Sequence, residues 1–441
     1  MLTGRLVANS SLANYYSWVP LPASLRHRDF RLLVTGTATS ALGNAITPVA
    51  LAFAVLDLGG SATELGLVVA AFALAEVVTT LFGGVLGDRL PRKLMMEGSA
   101  AASAVTQLVM AVTLIGGWAT IPLLGVVGAL NGCVAALSQP SSRAMTRLTV
   151  PPDHLGSAVS VRALLQTSAA TVGFVAGGLL VATVGSGWAI GVDAATYAVA
   201  ALCYSRLRVE QATPEGERGS IVADLREGAR EVLAHQWLWL LIGQALVYHL
   251  FYGGASGVLG PIVIGDEFGR SAWGLAMGTL MAGFVVGGLV CLRWRPRRSL
   301  YVGTVLLSLT ALFPLAMALS DHLWVVMLGA FLHGFGLQVF DVFWDLAIQQ
   351  NVDPDKLARV YSFDMVGSFV ARPLGLALTG PIALAVGMQR WLVVVGVVMG
   401  ASALLALRSA EVRGLTVRPA VPSDSAQLPH LPSEPPAPVS R

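Results

Sequence analysis

Residues Leu65 to Lys93 read LGLVVAAFALAEVVTTLFGGVLGDRLPRK. From Leu65 to Gly87 the run holds a single ionisable residue, Glu76, and then Asp88, Arg89, Arg92 and Lys93 crowd into the next few positions. About 20 consecutive apolar residues suffice for a helix to cross a bilayer. Basic residues gathered at one end of such a helix mark the end retained in the cytoplasm. The stretch therefore reads as a membrane span followed by an inner loop, and the rest of the chain repeats that pattern.

The 441 residues are 55% hydrophobic and only 12% charged, and the mean hydropathy is +0.70. Soluble domains carry about 25% charged residues. At half that share the chain lacks the polar surface to coat several soluble domains, which excludes an ordinary cytoplasmic enzyme, a disordered chain and a coiled coil. Twelve spans are expected, at about 31–56, 65–87, 94–116, 121–142, 158–184, 188–207, 237–264, 272–292, 299–319, 323–349, 358–386 and 389–408. The predicted fold class is an all-α membrane protein, with 12 transmembrane helices in two pseudo-symmetric six-helix bundles around a central cleft. Cys133, Cys203 and Cys291 are scattered through apolar stretches and point to neither disulfides nor a metal site. The first 25 residues do not read as a cleavable leader, so the first span is expected to serve as its own insertion signal.

An even number of spans puts both termini on one side. That side receives 24 of the 28 Lys and Arg residues; the other receives only Arg270 and Arg390, and Arg162 and Arg372 fall within spans. The bias predicts cytoplasmic termini in a multi-pass plasma (inner) membrane protein. Trp118, Trp188, Trp273, Trp324 and Trp391 fall at outer span ends, and Trp237, Trp239 and Trp294 at inner ends, as an interfacial belt requires. The expected domains are an N-terminal cytoplasmic segment (1–25), a first six-helix bundle (26–207), a linker (208–236), a second bundle (237–410) and a Pro-rich disordered cytoplasmic tail (411–441). Within the linker, Ile221, Leu225, Val232 and Leu233 recur at helical spacing, so 220–234 reads as an amphipathic helix on the inner membrane surface.

The halves repeat. An offset of 202 superposes Gly132 on Gly334, Val150 on Val352, Pro152 on Pro354, Leu155 on Leu357, Gly173 on Gly375 and Gly178 on Gly380. Neither of the two lysines, Lys93 and Lys356, sits in the Gly-Lys-Ser/Thr setting of a phosphate-binding loop. No ATP, cofactor, metal or nucleic acid is expected. Any uphill transport must draw on an ion gradient or a partner.

Gly83-Gly84-Val85-Leu86-Gly87-Asp88-Arg89-Leu90-Pro91-Arg92-Lys93 resembles the loop signature of the major facilitator superfamily, with Pro91 where the signature has glycine. Asp29-Phe30-Arg31-Leu32-Leu33, Leu42-Gly43-Asn44, Val192-Asp193-Ala194-Ala195-Thr196 and Arg372-Pro373-Leu374-Gly375 resemble the drug-exporter branch that includes macrolide and enterobactin efflux proteins. The resemblance covers about 26–410. It implies alternating access and a gating loop at Asp88, Arg89, Arg92 and Lys93, in which Asp88 meets the positive end of the eleventh span. It also implies a helix-packing motif at Gly173, Gly177 and Gly178, with Phe174 in place of the exporters' proline.

Ionisable residues inside spans are costly and usually functional. Glu76 lies roughly 18 Å from the inner loop at 1.5 Å per residue, past mid-membrane. Glu76, Asp341, Asp345 and Asp364 are the proton-coupling candidates. Arg162 and Arg372 are expected to pair with carboxylates among Asp341, Asp345 and Asp364. Asp57 and Asp193 read as structural or interfacial, and His249 and His333 as satisfied buried histidines. Asn131, Gln139 and Gln244 line the cleft or bond between helices. Cavity candidates are Asn44, Phe53, Gln166, Phe251, Tyr252, Phe335, Phe340 and Trp344. The expected function is proton-coupled efflux of hydrophobic or amphipathic small molecules by a monomeric secondary transporter. Uptake or exchange of a polar metabolite, or a non-transporting membrane role, are the alternatives. No nucleophile–base pair or dinucleotide fingerprint points to an enzyme.

Overall fold

A computed structural model describes residues 23–87, 91–209, 221–294, 296–353 and 356–416. Every regular element among them is helical. The first half forms α1 (Arg28–Asp57), α2 (Ala62–Gly87), α3 (Arg92–Ile115), α4 (Ile121–Thr149), α5 (Leu155–Thr183) and α6 (Ser186–Ser205). The linker helix is α7 (Ile221–Ala234). The second half comprises α8 (Gln236–Gly254), α9 (Gly260–Phe268), α10 (Arg270–Arg293), α11 (Ser299–Leu307), α12 (Leu312–Leu319), α13 (Leu323–Asn351), α14 (Leu357–Phe369), α15 (Arg372–Val386), α16 (Met388–Ala406) and the short α17 (Ala410–Gly414). Twelve segments are long and apolar enough to cross a membrane. Three of them are composite: α8–α9, α11–α12 and α14–α15.

The breaks have local causes. A π segment, Ala255–Leu259, precedes Gly260 and Pro261, and a 3-10 turn, Ser308–Ala311, precedes Pro314. α14 and α15 part just before Arg372-Pro373. Proline supplies no backbone N–H and crowds the preceding turn, so each helix is rewound around it. Five turns at the face opposite the termini end on glycines with positive φ, namely Gly59, Gly117, Gly185, Gly269 and Gly387. An L side chain is strained in that region, so these tight reversals need glycine.

The two halves pair their helices alike. α2 packs on α4, α1 on α5 and α3 on α6; correspondingly α10 packs on α13, α8 on α15, and α11–α12 on α16. Equivalent atoms meet in both. A Cβ on Gly132 would lie 2.6 Å from the Phe72 carbonyl, and one on Gly334 2.1 Å from the Leu280 carbonyl. Gly173 approaches the Leu42 carbonyl as Gly375 approaches that of Leu250. The pseudo-symmetry thus runs with offset 202 in the fourth and fifth spans and 208 in the first and second.

Two expectations about the chain's ends and linker change. The tail does not begin at 411: Val412 is fully buried beside Trp237 and Leu241, and Glu411 accepts the Trp237 backbone N–H at 3.1 Å. Residues 417–441 lie outside the described residues. The linker helix does more than lie on a surface. Gly228 packs against the Arg359 backbone, Val232 is buried in the second bundle's core, and Lys356 Nζ donates to Glu231 Oε2 at 2.9 Å. Glu231 and Asp353 together hold the Lys356 ammonium above its ordinary lysine range. The tryptophan belt is also partial. Trp118, Trp188, Trp239, Trp294 and Trp324 are exposed, whereas Trp237 and Trp273 turn into the core, where helix packing claims their large apolar surface.

A central cleft closed at one face

The bundles touch along two seams, α2 against α15 and α5 against α10. Both seams run through the halves of the helices remote from the termini. A Cβ on Gly66 would come within 2.5 Å of the Leu376 carbonyl, and one on Gly274 within 2.5 Å of the Phe174 carbonyl. A Cβ on Gly178 would lie 2.9 Å from the Gly274 Cα, and one on Gly380 2.5 Å from the Thr63 Cα. Small residues let the backbones approach this closely. The expected packing motif divides accordingly. Gly173 and Gly177 hold α5 to α1 within the first bundle, and Gly178 alone crosses between bundles.

An ion pair reinforces the closed face. Arg270 Nη1 donates to Asp57 Oδ2 at 3.0 Å, Arg270 Nη2 also bonds Asp57 Oδ1, and the guanidinium lies 5.3 Å over the Phe53 ring. Asp57 also accepts from Ser186 Oγ. Sequence reasoning missed this lock between α1 and α10. The available signal was Arg270, one of only two basic residues expected on that side. Phe53 therefore belongs to the closed face and is almost fully buried there, outside the cavity.

Below the seams a cavity of about 560 Å3 opens between the bundles toward the termini-bearing face. Asn44 and Gln166 line it, together with Thr37, Ser40, Thr47, Ser99, Asn131, Ser138 and Ser142 of the first bundle. The second bundle contributes Gly253, Ser256, Gly257, Pro261, Trp273, Met277, Arg372 and Leu376. Its aromatic lining is Phe72, Phe174, Tyr197, Tyr204 and Trp273. The other expected aromatics are spent within the second bundle. Phe251 packs on Trp391 at 5.8 Å, Tyr252 stacks on Tyr248, Phe335 packs beside Cys291 and Val339, and Phe340 stacks on Trp344.

Glu76 and Arg372 are the two charged residues among the described lining, and they meet across the cleft at 3.9 Å. This corrects the expected pairing of Arg372. Arg162 donates to the Ser142 carbonyl at 2.8 Å, Ser142 Oγ at 3.0 Å and Thr146 Oγ1 at 2.7 Å, all in its own bundle. Asp345 accepts from Gln349 and Tyr361, and Asp364 from Trp344 Nε1 at 3.1 Å and Ser368 at 3.2 Å. Asp341 is exposed on α13. The seam contacts position α15 against α2, which is why Arg372 reaches Glu76 and not the carboxylates of α13 and α14. Asp88 and Arg89 of the gating loop lie outside the described residues, and Arg92 and Lys93 open α3.

His333 is a satisfied core residue. Pro314 leaves the Thr310 carbonyl without its helical donor, and His333 Nδ1 bonds that oxygen at 2.9 Å. His333 Nε2 then accepts from Tyr248 at 2.7 Å, which fixes the tautomer. His249 Nδ1 similarly bonds the Ala245 carbonyl at 2.8 Å.

The sequence profile of the Major Facilitator Superfamily matches residues 33–313. The chain is 26% identical over 405 residues to the multidrug efflux pump Tap of Mycobacterium tuberculosis, covering 88% of this chain and 95% of that one. It is 22% identical over 410 residues to macrolide efflux protein A of Streptococcus pyogenes, covering 88% and 98%. In fold it is similar to the crystal structure of the nucleoside transporter NupG, with a TM-score of 0.69 at 13% identity, covering 86% and 98%. With twelve membrane-capable helices in two related bundles around one cleft, this multi-pass membrane protein belongs to the Major Facilitator Superfamily.

Proposed function

We propose that the chain is an alternating-access exporter of hydrophobic or amphipathic small molecules, driven by inward proton movement. The observation that carries this reading is the cavity itself. It is large enough for a drug-sized molecule. It is shut on one face, open on the other, and crossed by the Glu76–Arg372 pair between the bundles. The efflux relatives support the cargo class. The basic-residue bias supports cytoplasmic termini in the plasma membrane, so that the open face admits cargo from inside. No second chain is needed to complete the cavity, which supports a monomer.

Glu76 and Arg372 suggest the coupling step. A proton arriving on Glu76 from the far side neutralises the charge that holds Arg372 across the cleft. Loss of that pair weakens the contact between bundles where cargo must pass. In this reading Asp341, Asp345 or Asp364 accepts the proton next. The gating loop around Asp88 would then stabilise the opposite state. The alternative, exchange of a polar metabolite, draws on the hydroxyl and amide groups of the first bundle's wall.

The test uses inverted membrane vesicles with an acidified lumen, challenged with amphipathic drugs and with polar metabolites. Proton release on adding a drug, weakened in Glu76→Gln, is the expected result. Release only with polar metabolites favours exchange. No release with any compound overturns proton coupling.

A further inference from the structure

We propose that Asp193, deep in the first bundle, is a second proton-carrying site, loaded from the central cavity through the Thr47 hydroxyl. Asp193 is 0% exposed on α6 and belongs to none of the ion pairs among the described residues. Its partners are uncharged and come from three helices. Thr47 Oγ1 on α1 and Gln107 Nε2 on α3 both donate to Asp193 Oδ2 at 2.5 Å, and Gln107 also donates to Thr47 Oγ1 at 2.8 Å. Thr196 Oγ1 sits 2.8 Å from the Asp193 carbonyl and 3.2 Å from Oδ1.

Thr196 can serve either state of the acid. Its hydroxyl is shared between the Asp193 carbonyl and Oδ1 while Asp193 is ionised, and a hydroxyl can also accept, so Thr196 Oγ1 can take a hydrogen bond from Oδ1 once Asp193 carries a proton. A second observation fits the same reading. Gln107 is 1% exposed, yet its Oε1 has no partner, and neither does the buried Ser103 Oγ one turn earlier on α3. As oriented, the Gln107 amide presents its N–H to an ionised Asp193; a half-turn would present Oε1 to a protonated Oδ2, so the amide can serve either protonation state.

A metal cation does not fit. Thr47, Gln107 and Asp193 touch one another directly, and a Cβ on Gly43 would lie 1.9 Å from Asp193 Oδ1. A sodium- or calcium-sized ion needs a shell of five or more oxygens around an open centre. Only a proton enters a cluster already at hydrogen-bond distance.

The route is short. Thr47 lines the cavity and contacts Asp193. A hydronium in the cavity gives its proton to Thr47 Oγ1 as the Thr47 hydroxyl proton passes to Asp193 Oδ2. Water is left behind, threonine stays neutral and the carboxylate becomes the acid. Rotation about Cβ–Cγ then sets the O–H against Thr196. Other ionisable groups are remote or weak acids. α1 carries Arg28, Asp29, Arg31 and Asp57 at its ends, and α3 carries Arg92, Lys93 and Glu97 in its opening turns. On α5, Arg162 is held at Ser142 and Thr146. On α6, Tyr197 donates to Asn44, and Cys203 and Tyr204 lie further along. The site meets the cavity where Pro48 leaves the Asn44 carbonyl without its helical donor.

The use of this proton in transport rests on the antiport reading above; its binding does not. The test is infrared difference spectroscopy of the full chain in liposomes as pH is stepped, alongside proton release in vesicles. A carboxylic-acid C=O band is expected that disappears in Asp193→Asn, shifts in Thr196→Val and persists in Glu76→Gln. Thr47→Val is expected to slow its appearance at least tenfold. If Asp193→Asn does not fold, the Thr196→Val shift decides alone. A band lost with Asp193→Asn while no compound releases protons upholds the site and removes antiport. Proton release accompanied by a band that neither Asp193→Asn nor Thr196→Val alters overturns the site.

Discussion

The two bundles share one plan and use it differently. At the packing of the first span on the sixth, the N-terminal bundle places Gly43 and Asn44 against Asp193, Thr196 and Tyr197. With the offset of 208, the second bundle has Phe251 and Tyr252 there, and Phe251 packs on Trp391 of α16. A hydrogen-bonded acid in one half is an aromatic contact in the other. The cavity walls follow suit: most of the hydroxyls and amides are on the first bundle, while on the second Ser256 and Arg372 stand among glycine, proline and apolar groups. Backbone continuity is reversed, since the three composite spans all lie in the second bundle. Duplication fixed the helix contacts, which depend on glycines against carbonyls, and left the side chains between them free to diverge.

The seams should break the comparison least, because both halves contribute equally. Gly178→Leu and Gly380→Leu each force a side chain into backbone, which costs about 3 kcal/mol, or about a hundredfold against the closed face. Cysteine accessibility at the closed face, and loss of transport in both variants, would register it. A seam that tolerates leucine would end the symmetry between them. Next comes the divergent contact. Gly43→Ala should cost about 2–3 kcal/mol by overpacking and abolish proton release. Phe251→Ala should cost about 2 kcal/mol, being half-buried, and leave proton release intact. Thermal melts and vesicle assays on the two separate a chemical half from a mechanical one.

Smaller effects are expected from the ion pairs. Glu76→Gln and Arg270→Gln each remove a partly exposed pair worth about 0.5–1 kcal/mol, shifting the open–closed equilibrium up to about fivefold in distance measurements by spin labels. The reciprocal charge swap at Glu76 and Arg372 should restore the balance. The least effect belongs to Lys356→Gln, which should raise hydrogen exchange in α7 and leave transport unchanged. Its ammonium is held above the ordinary range, so the contact with Glu231 persists at neutral pH and is lost only as pH rises through that raised value.

Spans, repeat and cleft were legible because bilayer thickness and glycine spacing act on the chain directly. Asn44 and Gln166 were legible as cavity residues because polar groups in spans have few places to go. The face that each aromatic presents was not. These helices are apolar toward lipid and toward neighbours alike, so periodicity gives no contrast to orient Phe335 or Phe340. The partner of Arg372 was hidden for a related reason. Its choice of Glu76 depends on how α15 sits on α2, a packing fact no single helix encodes. The hydrogen-bond partners of Asp193 were hidden because they come from α1 and α3, far away in sequence.

The five left-handed glycines carry a mechanical consequence. Each joins two helices by a reversal too short to lengthen, so a helix that leaves a seam takes its hairpin partner with it. α2 is tied to α1 and α5 to α6, and on the other side α10 is tied to α9 and α15 to α16. The closed face cannot peel open one helix at a time. It is expected to part as hairpin-linked pairs, with the composite spans of the second bundle as the places where the helical backbone is already interrupted.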